Sequence, residues 1–364
     1  MPELKLKEIA EAVYGKLECR PAAEDEANWD RCLAAADRNT YVSWKYSRSA
    51  LKYYEAYFSD AYRECLDMSV VLYRGGRPAG IWPVMVFRKD GKITFGTAGE
   101  ALLPPLLSFV EKAEGQRAVI ENCLNALMGI PEVDRLLCAE TVMEQGASQW
   151  IRKLMEHGGA AQEPVWQVLT DLGLSREEIQ GRIRRTNKYS IARGQDEYDI
   201  RIYDETSPDL DRAFEEFHRM HTEVSGRETR PQKTWDIQLE TIRESSPEKG
   251  WGFLVFIRDK ATGQLAGSAL FNTTPQSGLY SVAAYDRSRF SKPVGHIVQA
   301  VAMEQMRRKG IRWYEIGDRY YPSDSGAYEK MVDIGHYKEG FATHFFPKMF
   351  VRLDRKAFRS NILK

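Results

Sequence analysis

The sequence has no excess of charge of either sign and no long hydrophobic run. Lysines and arginines together number 52, and so do aspartates and glutamates. Such a balance gives no strong general attraction to nucleic acids or anionic membranes, although a local basic groove is compatible with it. The most apolar stretch, 101–110, is short and is interrupted by Pro104 and Pro105. No segment is therefore predicted to span a bilayer.

Other features of a secreted or metal-binding protein are also missing. The first fifteen residues mix charge into every turn and offer no apolar core for a secretory signal, so we expect a cytoplasmic protein. The five cysteines all precede residue 139 and lack paired metal spacing, which favours free thiols in a reducing compartment. His218 and His221 are three residues apart, but no third ligand follows at a useful spacing. We predict no metal site.

What the sequence does contain is a duplication. SVVLYRGGRPAGIWPVMVF surrounds Ala79 and Gly80, and WGFLVFIRDKATGQLAGSALF surrounds Ala266 and Gly267. Each is an apolar run, a turn with glycine, and a second apolar run that begins with an Ala-Gly step. This pattern predicts a tight β-hairpin in each half of the chain.

The similarity extends beyond the hairpins. Each is followed by a third strand-like run, an amphipathic helix and a short apolar strand, so a unit of about this size occurs twice. We predict an α/β (α+β) fold of two tandem domains, 1–160 and 161–364. Each domain would be a twisted, mostly antiparallel sheet flanked by helices, and a ligand cleft is expected between the two.

The second half has the clearer helix signals. Ser175 opens a capping box, SREE, and the helix that follows is predicted to carry the arginine-rich stretch up to Arg193. A later helix begins near Gly295 and ends with three cations before Gly310, as the helix dipole and a left-handed cap favour. The residues up to about 66 are also predicted to be helical.

This plan resembles that of the GNAT acyltransferases, in which a twisted sheet leads into a helix whose first turn faces a splayed strand. Two such units in one chain resemble the FemABX aminoacyltransferases. The similar stretches are WQVLTDLGLSREEIQGRIRRTNKYSIARG, YSVAAYDRSRFSKPVGHIVQAVAMEQMRRKGIRWYEIGD and YKEGFATHFFPKMF. In the third, Lys338, Gly340 and Phe341 look like the lysine and Gly-Phe pair near the end of FemABX proteins.

The resemblance also bears on the acyl donor. Ordinary acetyl-CoA-binding GNAT proteins have a glycine-rich loop before this helix, whose backbone N–H groups approach the pyrophosphate. Here only Gly295 remains, and Pro293 removes one donor. FemABX proteins show a similar loss and use aminoacyl-tRNA, so the resemblance favours aminoacyl-tRNA over acyl-CoA as donor, with no tightly bound cofactor. Gly295, His296 and Lys292 are the predicted donor contacts.

Acyl transfer to an amine needs a group that polarises the carbonyl and a route for the proton. The resemblance implies Lys338 for the first task, because an ammonium can stabilise a developing oxyanion; a surface lysine at the start of a strand is the alternative. Asp286, Glu315 and Asp318 follow or end predicted strands that point toward the cleft. Each is a candidate proton acceptor, with a structural role as the alternative.

The predicted substrate contacts fall into two groups. One is a basic group that would hold the phosphates of an RNA or of a phosphate-bearing acceptor, unless it is simply a solvated helix face. The other lies on the acceptor side. The basic group comprises Arg182, Arg185, Lys188 and Arg193, and the acceptor group comprises Trp44, Lys45 and Tyr320.

These observations predict a FemABX-type N-acyltransferase. The resemblance implies that it moves an acyl or aminoacyl group to an amine of an amino sugar or peptide in a cell-surface glycan. One alternative is an acetyl-CoA-dependent N-acetyltransferase. The other is a non-catalytic tandem GNAT module that binds a ligand or partner.

Overall fold

The computed structural model describes residues 5–61, 64–89, 91–99, 101–288 and 294–362. Helices alternate with mainly antiparallel sheets, which confirms the predicted α/β (α+β) class. Contacts divide the chain into two compact units. The first unit comprises Met1–Asp37, Lys45–Val165 and Pro347–Lys364, and the second comprises Arg38–Trp44 and Trp166–Phe346.

The elements are numbered in chain order. Those up to residue 161 are α1 (Leu6–Tyr14), β1 (Cys19–Pro21), α2 (Glu26–Ala34), α3 (Arg48–Ala61), β2 (Glu64–Asp67), β3 (Val70–Arg74), β4 (Arg77–Trp82), β5 (Met85–Lys89), β6 (Lys92–Gly96), α4 (Ala113–Met128), β7 (Arg135–Thr141), α5 (Gln149–Glu156) and β8 (Ala160–Ala161). The later ones are β9 (Val165–Asp171), α6 (Arg176–Arg182), α7 (Arg185–Glu197), β10 (Tyr198–Tyr203), α8 (Leu210–Ser225), α9 (Gln232–Arg243), β11 (Gly252–Asp259), β12 (Leu265–Thr273), β13 (Ser277–Tyr285), α10 (Val294–Arg308), β14 (Trp313–Arg319), α11 (Glu329–Glu339), β15 (His344–Asp354) and α12 (Arg355–Ile362).

The first unit contains the predicted hairpin, formed by β3 and β4. Gly75 and Gly76 have φ of 59° and 75° and make the turn, a conformation that glycine adopts without steric cost. The second apolar run, however, is not one strand. It breaks at Pro83, which has no N–H to donate to a ladder, and β5 pairs with β2 and β6 in a separate sheet.

The core of the first unit includes residues from the end of the chain. β15 pairs with β7 from Lys348 opposite Thr141 to Asp354 opposite Arg135. Val351 and Leu353 are fully buried in the same apolar cluster as α1 and α4. A distant segment therefore completes this unit.

The second unit is built on strands in the order β10-β11-β12-β13-β14-β9. β11 and β12 form the second predicted hairpin. All neighbouring pairs are antiparallel except β13 and β14, which are parallel. The buried side chains of α10 pack against one face of this sheet, and those of α8 and α9 pack in a separate cluster with Leu254 and Leu270.

Residues 38–43 belong to the second unit and form no helix. The Val42 N–H donates to Ser277 Oγ at 2.9 Å, and Thr274 Oγ1 donates to the Val42 carbonyl at 3.0 Å. Trp313 Nε1 donates to the Asn39 carbonyl at 2.9 Å. The prediction that the chain is helical up to about residue 66 is wrong here, because these bonds fix the backbone without a helical ladder.

The predicted capping box at the start of α6 and the predicted glycine cap at the end of α10 are both present. Ser175 and Glu178 form the predicted capping box of α6, and Gly310 follows α10 with φ of 78°. The arginine-rich stretch, in contrast, is not one helix. Ile183 is extended, with ψ of 131°, and separates α6 from α7.

No helix within the described residues is both long and apolar enough to cross a membrane. All five cysteines are free thiols; Cys32, Cys123 and Cys138 are buried, while Cys19 and Cys65 are partly buried. Burial raises the pKa of Cys19 to about 11 and that of Cys65 to about 12, so both stay protonated.

Candidate active site

The two parallel strands of the second unit are paired over only part of their length. β13 and β14 are paired only from Ser277 opposite Trp313 to Leu279 opposite Glu315. The register of β13 then shifts against β12 between Leu270 and Phe271, and that of β14 shifts against β9 between Glu315 and Gly317. Such bulges bend strands and redirect side chains.

Two adjoining cavities lie beside β13, and all the residues that line them belong to the second unit. The α10 cavity has a volume of about 650 Å³ and is lined by the start of α10, including Gly295 and His296, and by Lys338. The α8 cavity has a volume of about 940 Å³ and is lined by the end of α8 and by α11. The two cavities share Ala283, Tyr285, Asp286, Arg287, Ile334 and Tyr337.

Lys338 lies in the last turn of α11 and lines the α10 cavity, not at the start of a strand. Its side chain crosses the backbone of Gly317 in β14. A Cβ at position 317 would be 3.0 Å from Lys338 Cε and would overlap Nζ. Gly317 also has φ of 131°, which side chains rarely adopt. Because position 317 has no side chain, the Lys338 ammonium can lie against the backbone at this bulge.

Of four neutral tyrosines in this part of the second unit, Tyr280, Tyr285 and Tyr337 line the cavities, and Tyr314 lies in the apolar core against which they pack. The Tyr280 and Tyr285 hydroxyls are 2.9 Å apart, and the Tyr314 hydroxyl donates to Gln299 Oε1. Burial raises the pKa of Tyr280 to about 12 and those of Tyr285, Tyr314 and Tyr337 well above the usual value. These phenols therefore keep their protons and act as hydrogen-bond donors. The sequence does not single out the three strand tyrosines, Tyr280, Tyr285 and Tyr314, because buried tyrosines at strand spacing are typical of an ordinary core.

Tyr337 differs from the other three tyrosines. Its hydroxyl is buried, and it has no well-formed hydrogen bond to any residue in the described part of the chain. A Cβ at Gly295 would be only 2.9 Å from this oxygen. Gly295 thus admits a tyrosine from α11 to the start of α10. His296, in the same helical turn, packs against Tyr337 and Phe341 with ring centroids 5.1 and 5.7 Å apart.

The three predicted proton acceptors lie in different surroundings. Asp286 lines both cavities, and its Oδ1 accepts from the Ser288 N–H at 3.1 Å and from Ser288 Oγ at 2.5 Å. Glu315 accepts a hydrogen bond from the Tyr41 hydroxyl. Asp318 follows Gly317 on β14 and, like Glu315, is not among the residues that line the two cavities. Of these three predicted acceptors, Asp286 is thus the one that lines the cavities.

One carboxylate anchors the last turn of α11. Glu339 accepts from Arg319 Nε at 2.6 Å, from Arg184 Nη2 at 2.5 Å and from His336 Nδ1 at 2.8 Å. Burial opposes ionisation of Glu339, but the hydrogen bond and charge of Arg319, together with the charge of Arg184, outweigh it and hold the pKa of Glu339 below its usual value. This network fixes the helical turn that carries Tyr337 and Lys338.

The predicted phosphate contacts lie outside both cavities. Arg182 Nη1 donates to the Thr343 carbonyl at 3.0 Å, and Arg193 pairs with Glu197 at 2.9 Å. Arg185 and Lys188 share an exposed face of α7, beside the exposed Tyr189. Binding of phosphate by these residues stays a prediction.

The remaining predicted contacts are scattered. Trp44 is buried, with 3% of its surface exposed, and Lys45 belongs to the first unit. The Tyr320 carbonyl accepts a bond from Arg319, and none of these three residues lines the two cavities. Lys292 lies outside the described residues. The roles of these four residues also stay predictions.

No protein-family profile matches the chain, and no curated protein matches it. Solved structures do resemble it. The crystal structure of FemX has a TM-score of 0.61 and 11% identity, over 89% of this chain and 99% of that chain. The C-terminal domain (DUF2156) of a putative lysylphosphatidylglycerol synthetase from Agrobacterium fabrum has a TM-score of 0.55 and 12% identity, over 93% and 95%.

A third similar structure is that of L-PGS from Bacillus licheniformis, with a TM-score of 0.53 and 11% identity, over 82% of this chain and 87% of that chain. At these identities the likeness concerns the fold alone. It confirms the resemblance to FemABX-type proteins at the level of the fold.

Proposed function

We propose that this chain is an N-acyltransferase that moves an acyl or aminoacyl group to a substrate amine. The observation that carries the proposal is the α10 cavity, which is lined by Lys338, Tyr337 and Asp286. An ammonium, a neutral proton donor and a proton acceptor are the groups that attack by an amine on an ester or thioester requires.

The proposed reaction proceeds without a covalent enzyme intermediate. The amine nitrogen attacks the acyl carbonyl carbon, and a C–N bond forms. Lys338 stabilises the negative charge that develops on the carbonyl oxygen, while Asp286 accepts the proton lost by the nitrogen. The bond from carbon to the leaving oxygen or sulfur then breaks, and Tyr337 donates a proton to the leaving atom. The tyrosine regains its proton from Asp286 or from solvent.

The tyrosine bears on the choice of donor. Because the pKa of Tyr337 lies well above that of a free phenol, this hydroxyl is a poor acid for a thiolate leaving group. An alkoxide is a much stronger base and takes such a proton readily. This supports an aminoacyl ester, as on a charged tRNA, over acyl-CoA. The exposed Arg182, Arg185, Lys188 and Arg193 are the proposed phosphate contacts.

The acceptor in this proposal carries a primary amine, as a peptide or an amino sugar of a cell-surface glycan does. That choice follows the FemABX resemblance. The acetyl-CoA-dependent reaction is the competing possibility, and the start of α10 beside the cavity is the observation in its favour.

The test supplies purified protein with either charged tRNA or acetyl-CoA, together with a mixture of amines, and follows acylated products by mass spectrometry. We expect products from charged tRNA and none from acetyl-CoA. Products from acetyl-CoA alone would show that the donor is a thioester and not the proposed ester. Absence of transfer from either donor would contradict the proposal in favour of a binding module.

A variant pair tests the role of Lys338. Lys338→Ala is expected to lower the rate of transfer about 100-fold, because loss of one oxyanion-stabilising group costs at least this much in other acyl transferases. Lys233→Ala, which removes an exposed lysine of α9 that does not line either cavity, is the control and is expected to leave the rate unchanged. A fully active Lys338→Ala protein would remove this residue from the mechanism.

A further inference from the structure

The α8 cavity is lined by charged side chains of both signs. Glu223 and Asp333 supply carboxylates, and Arg287 and Lys330 supply cations. None of these four forms an ion pair with another residue in the described ranges, although they line the same space. Charged side chains on a protein surface usually lie near opposite charges of the same protein. The four charged side chains of this cavity have no such ion pair in the part of the chain that the structure describes, so they are available to a ligand.

Two of these charges lie at the unfavourable end of their own helix. Glu223 is in the last turn of α8, where the helix dipole is negative, and Lys330 is in the first turn of α11, where it is positive. Glu329, next to Lys330, carries the charge that this helix end favours, but it does not line the cavity. A cation bound at Glu223 and an anion bound at Lys330 would each interact favourably with both the side chain and the helix end.

The spacing along α11 gives the cavity a direction. Lys330, Asp333, Ile334 and Tyr337 are three or four residues apart and line it from one helix face. With a rise of 1.5 Å per residue, Asp333 lies about 6 Å and Lys330 about 10 Å from Tyr337 along the axis. Met220, Val224 and Ile334 supply apolar surface between the charged groups.

We propose that the α8 cavity binds the zwitterionic amino-acid head group of the acceptor. The ammonium lies at Glu223 and Asp333, the carboxylate lies at Lys330 and Arg287, and the amine to be acylated lies at Asp286 and Tyr337, where the two cavities meet. This inference rests on the proposed acyl transfer and specifies its acceptor. An amino sugar or a nucleotide-linked sugar lacks the paired ammonium and carboxylate, so it does not satisfy these four side chains.

Titration calorimetry without any acyl donor tests the inference with three probes of similar length. Lysine carries both head-group charges, 1,5-diaminopentane lacks the carboxylate, and 6-aminohexanoate lacks the α-ammonium. We expect lysine to bind about five-fold or more tightly than either analogue, as one additional ion pair provides. Equal affinity for the three probes would overturn the inference.

Variants assign the charges. Lys330→Gln is expected to lower the affinity for lysine and for 6-aminohexanoate about five-fold. The affinity for 1,5-diaminopentane should stay unchanged. Glu223→Gln should lower the affinity for lysine and for 1,5-diaminopentane and leave the affinity for 6-aminohexanoate unchanged. Lys233→Gln is a matched control, because Lys233 is also exposed and also the second residue of its helix, and Glu215→Gln is the control on α8. Effects of the controls equal to those of the test variants would contradict the assignment.

The outcomes separate this inference from the proposed function. Binding is measured without a donor, and the Lys338→Ala protein is expected to bind lysine normally while losing transfer. If amines without a head group are acylated and lysine binds no better than its analogues, the inference is wrong and the transferase stands. If lysine binds as expected and no donor yields transfer, the acyl transfer on which the inference rests is wrong, and the cavity is a zwitterion-binding site of another protein class.

Discussion

Gly317 connects the backbone of the splayed strand to the candidate catalytic lysine. Its φ of 131° and the position of Lys338 over its Cα are two separate reasons for a glycine. The sequence offers no sign of this role, because Gly317 stands between apolar and acidic residues of a predicted strand. The glycine that the resemblance draws attention to, Gly295, serves instead for close approach of Tyr337.

Gly317→Ala is expected to lower the rate of transfer at least about ten-fold, because the new methyl group displaces the Lys338 ammonium by an ångström or more. The backbone strain should also cost about 1–3 kcal/mol of the free energy of unfolding. Gly326→Ala is the control, since Gly326 has φ of 76° and no neighbour within 4 Å of an added Cβ. Rates and denaturant unfolding are measured for both. A folded Gly317→Ala protein with wild-type rate would show that Lys338 does not depend on this glycine.

Asp67, in the first unit, makes stability depend on pH. Burial raises the pKa of its carboxyl from 3.8 to about 6, although the Ser69 N–H donates to Oδ1 at 2.9 Å. Because the folded-state pKa is the higher one, the folded protein binds the extra proton. The contribution to stability is complete below pH 4 and is lost as the pH rises through 6.

Asp67→Asn is therefore expected to raise the free energy of unfolding at pH 8 by about 1–2 kcal/mol and to have little effect at pH 4. The asparagine stays neutral and can still accept the bond from Ser69. Denaturant unfolding at the two pH values measures the difference. Asp199→Asn, at an exposed position of β10, serves as control. A gain of equal size at both pH values would show that desolvation of the charge is not the cause.

At the scale of elements, the sequence was sufficient where apolar residues follow a regular period or a cap is explicit. The two hairpins, the helix α4, and the cap of α6 and the end of α10 were predicted on this basis and are present. Periodicity did not predict the positions at which a continuous pattern is divided between two elements. Pro83 divides one apolar run into two strands of different sheets, and Ile183 divides the arginine-rich stretch.

The helix α11 was missed for a physical reason. Its buried residue is Gly335, which packs against Arg319, with an added Cβ only 3.0 Å from Cδ. The helix thus has no apolar stripe that periodicity could reveal. It is anchored by the ion pairs of Glu339 with Arg184 and Arg319, which are distant in sequence. The same gap concealed Tyr337, whereas the family resemblance led to Lys338 without predicting its helix.

Glu339→Gln is expected to cost about 2–4 kcal/mol of the free energy of unfolding, because it leaves the buried Arg319 without its carboxylate. Since Tyr337 and Lys338 share the anchored turn, the kcat of transfer should fall more than the KM of the acceptor rises. Glu329→Gln, at the other end of α11, should change neither quantity. A loss confined to KM would indicate that Glu339 acts on the acceptor rather than on the position of that turn.

At the scale of the whole molecule, the two cores do not follow a single cut of the chain. Val351, Leu353 and Phe358 lie in the core of the first unit, and Arg38–Trp44 contacts the second. Hydrophobic patterning along the sequence predicted one boundary between 160 and 161. Such a pattern shows which residues are apolar but not which distant segment packs against them. That boundary between the two domains stays a prediction.

The C-terminal contribution to the first core is testable at one residue. Leu353 is fully buried in the cluster that contains α1 and α4, and its strand pairs with β7. Leu353→Ala is therefore expected to cost about 2–5 kcal/mol. Hydrogen exchange should show faster exchange in α4 and β7, more than two hundred residues away in sequence. Leu270→Ala, at a fully buried position of the second unit, should instead accelerate exchange in α8 and α9. Wild-type protection of α4 and β7 in the Leu353→Ala protein would place the end of the chain outside the first core.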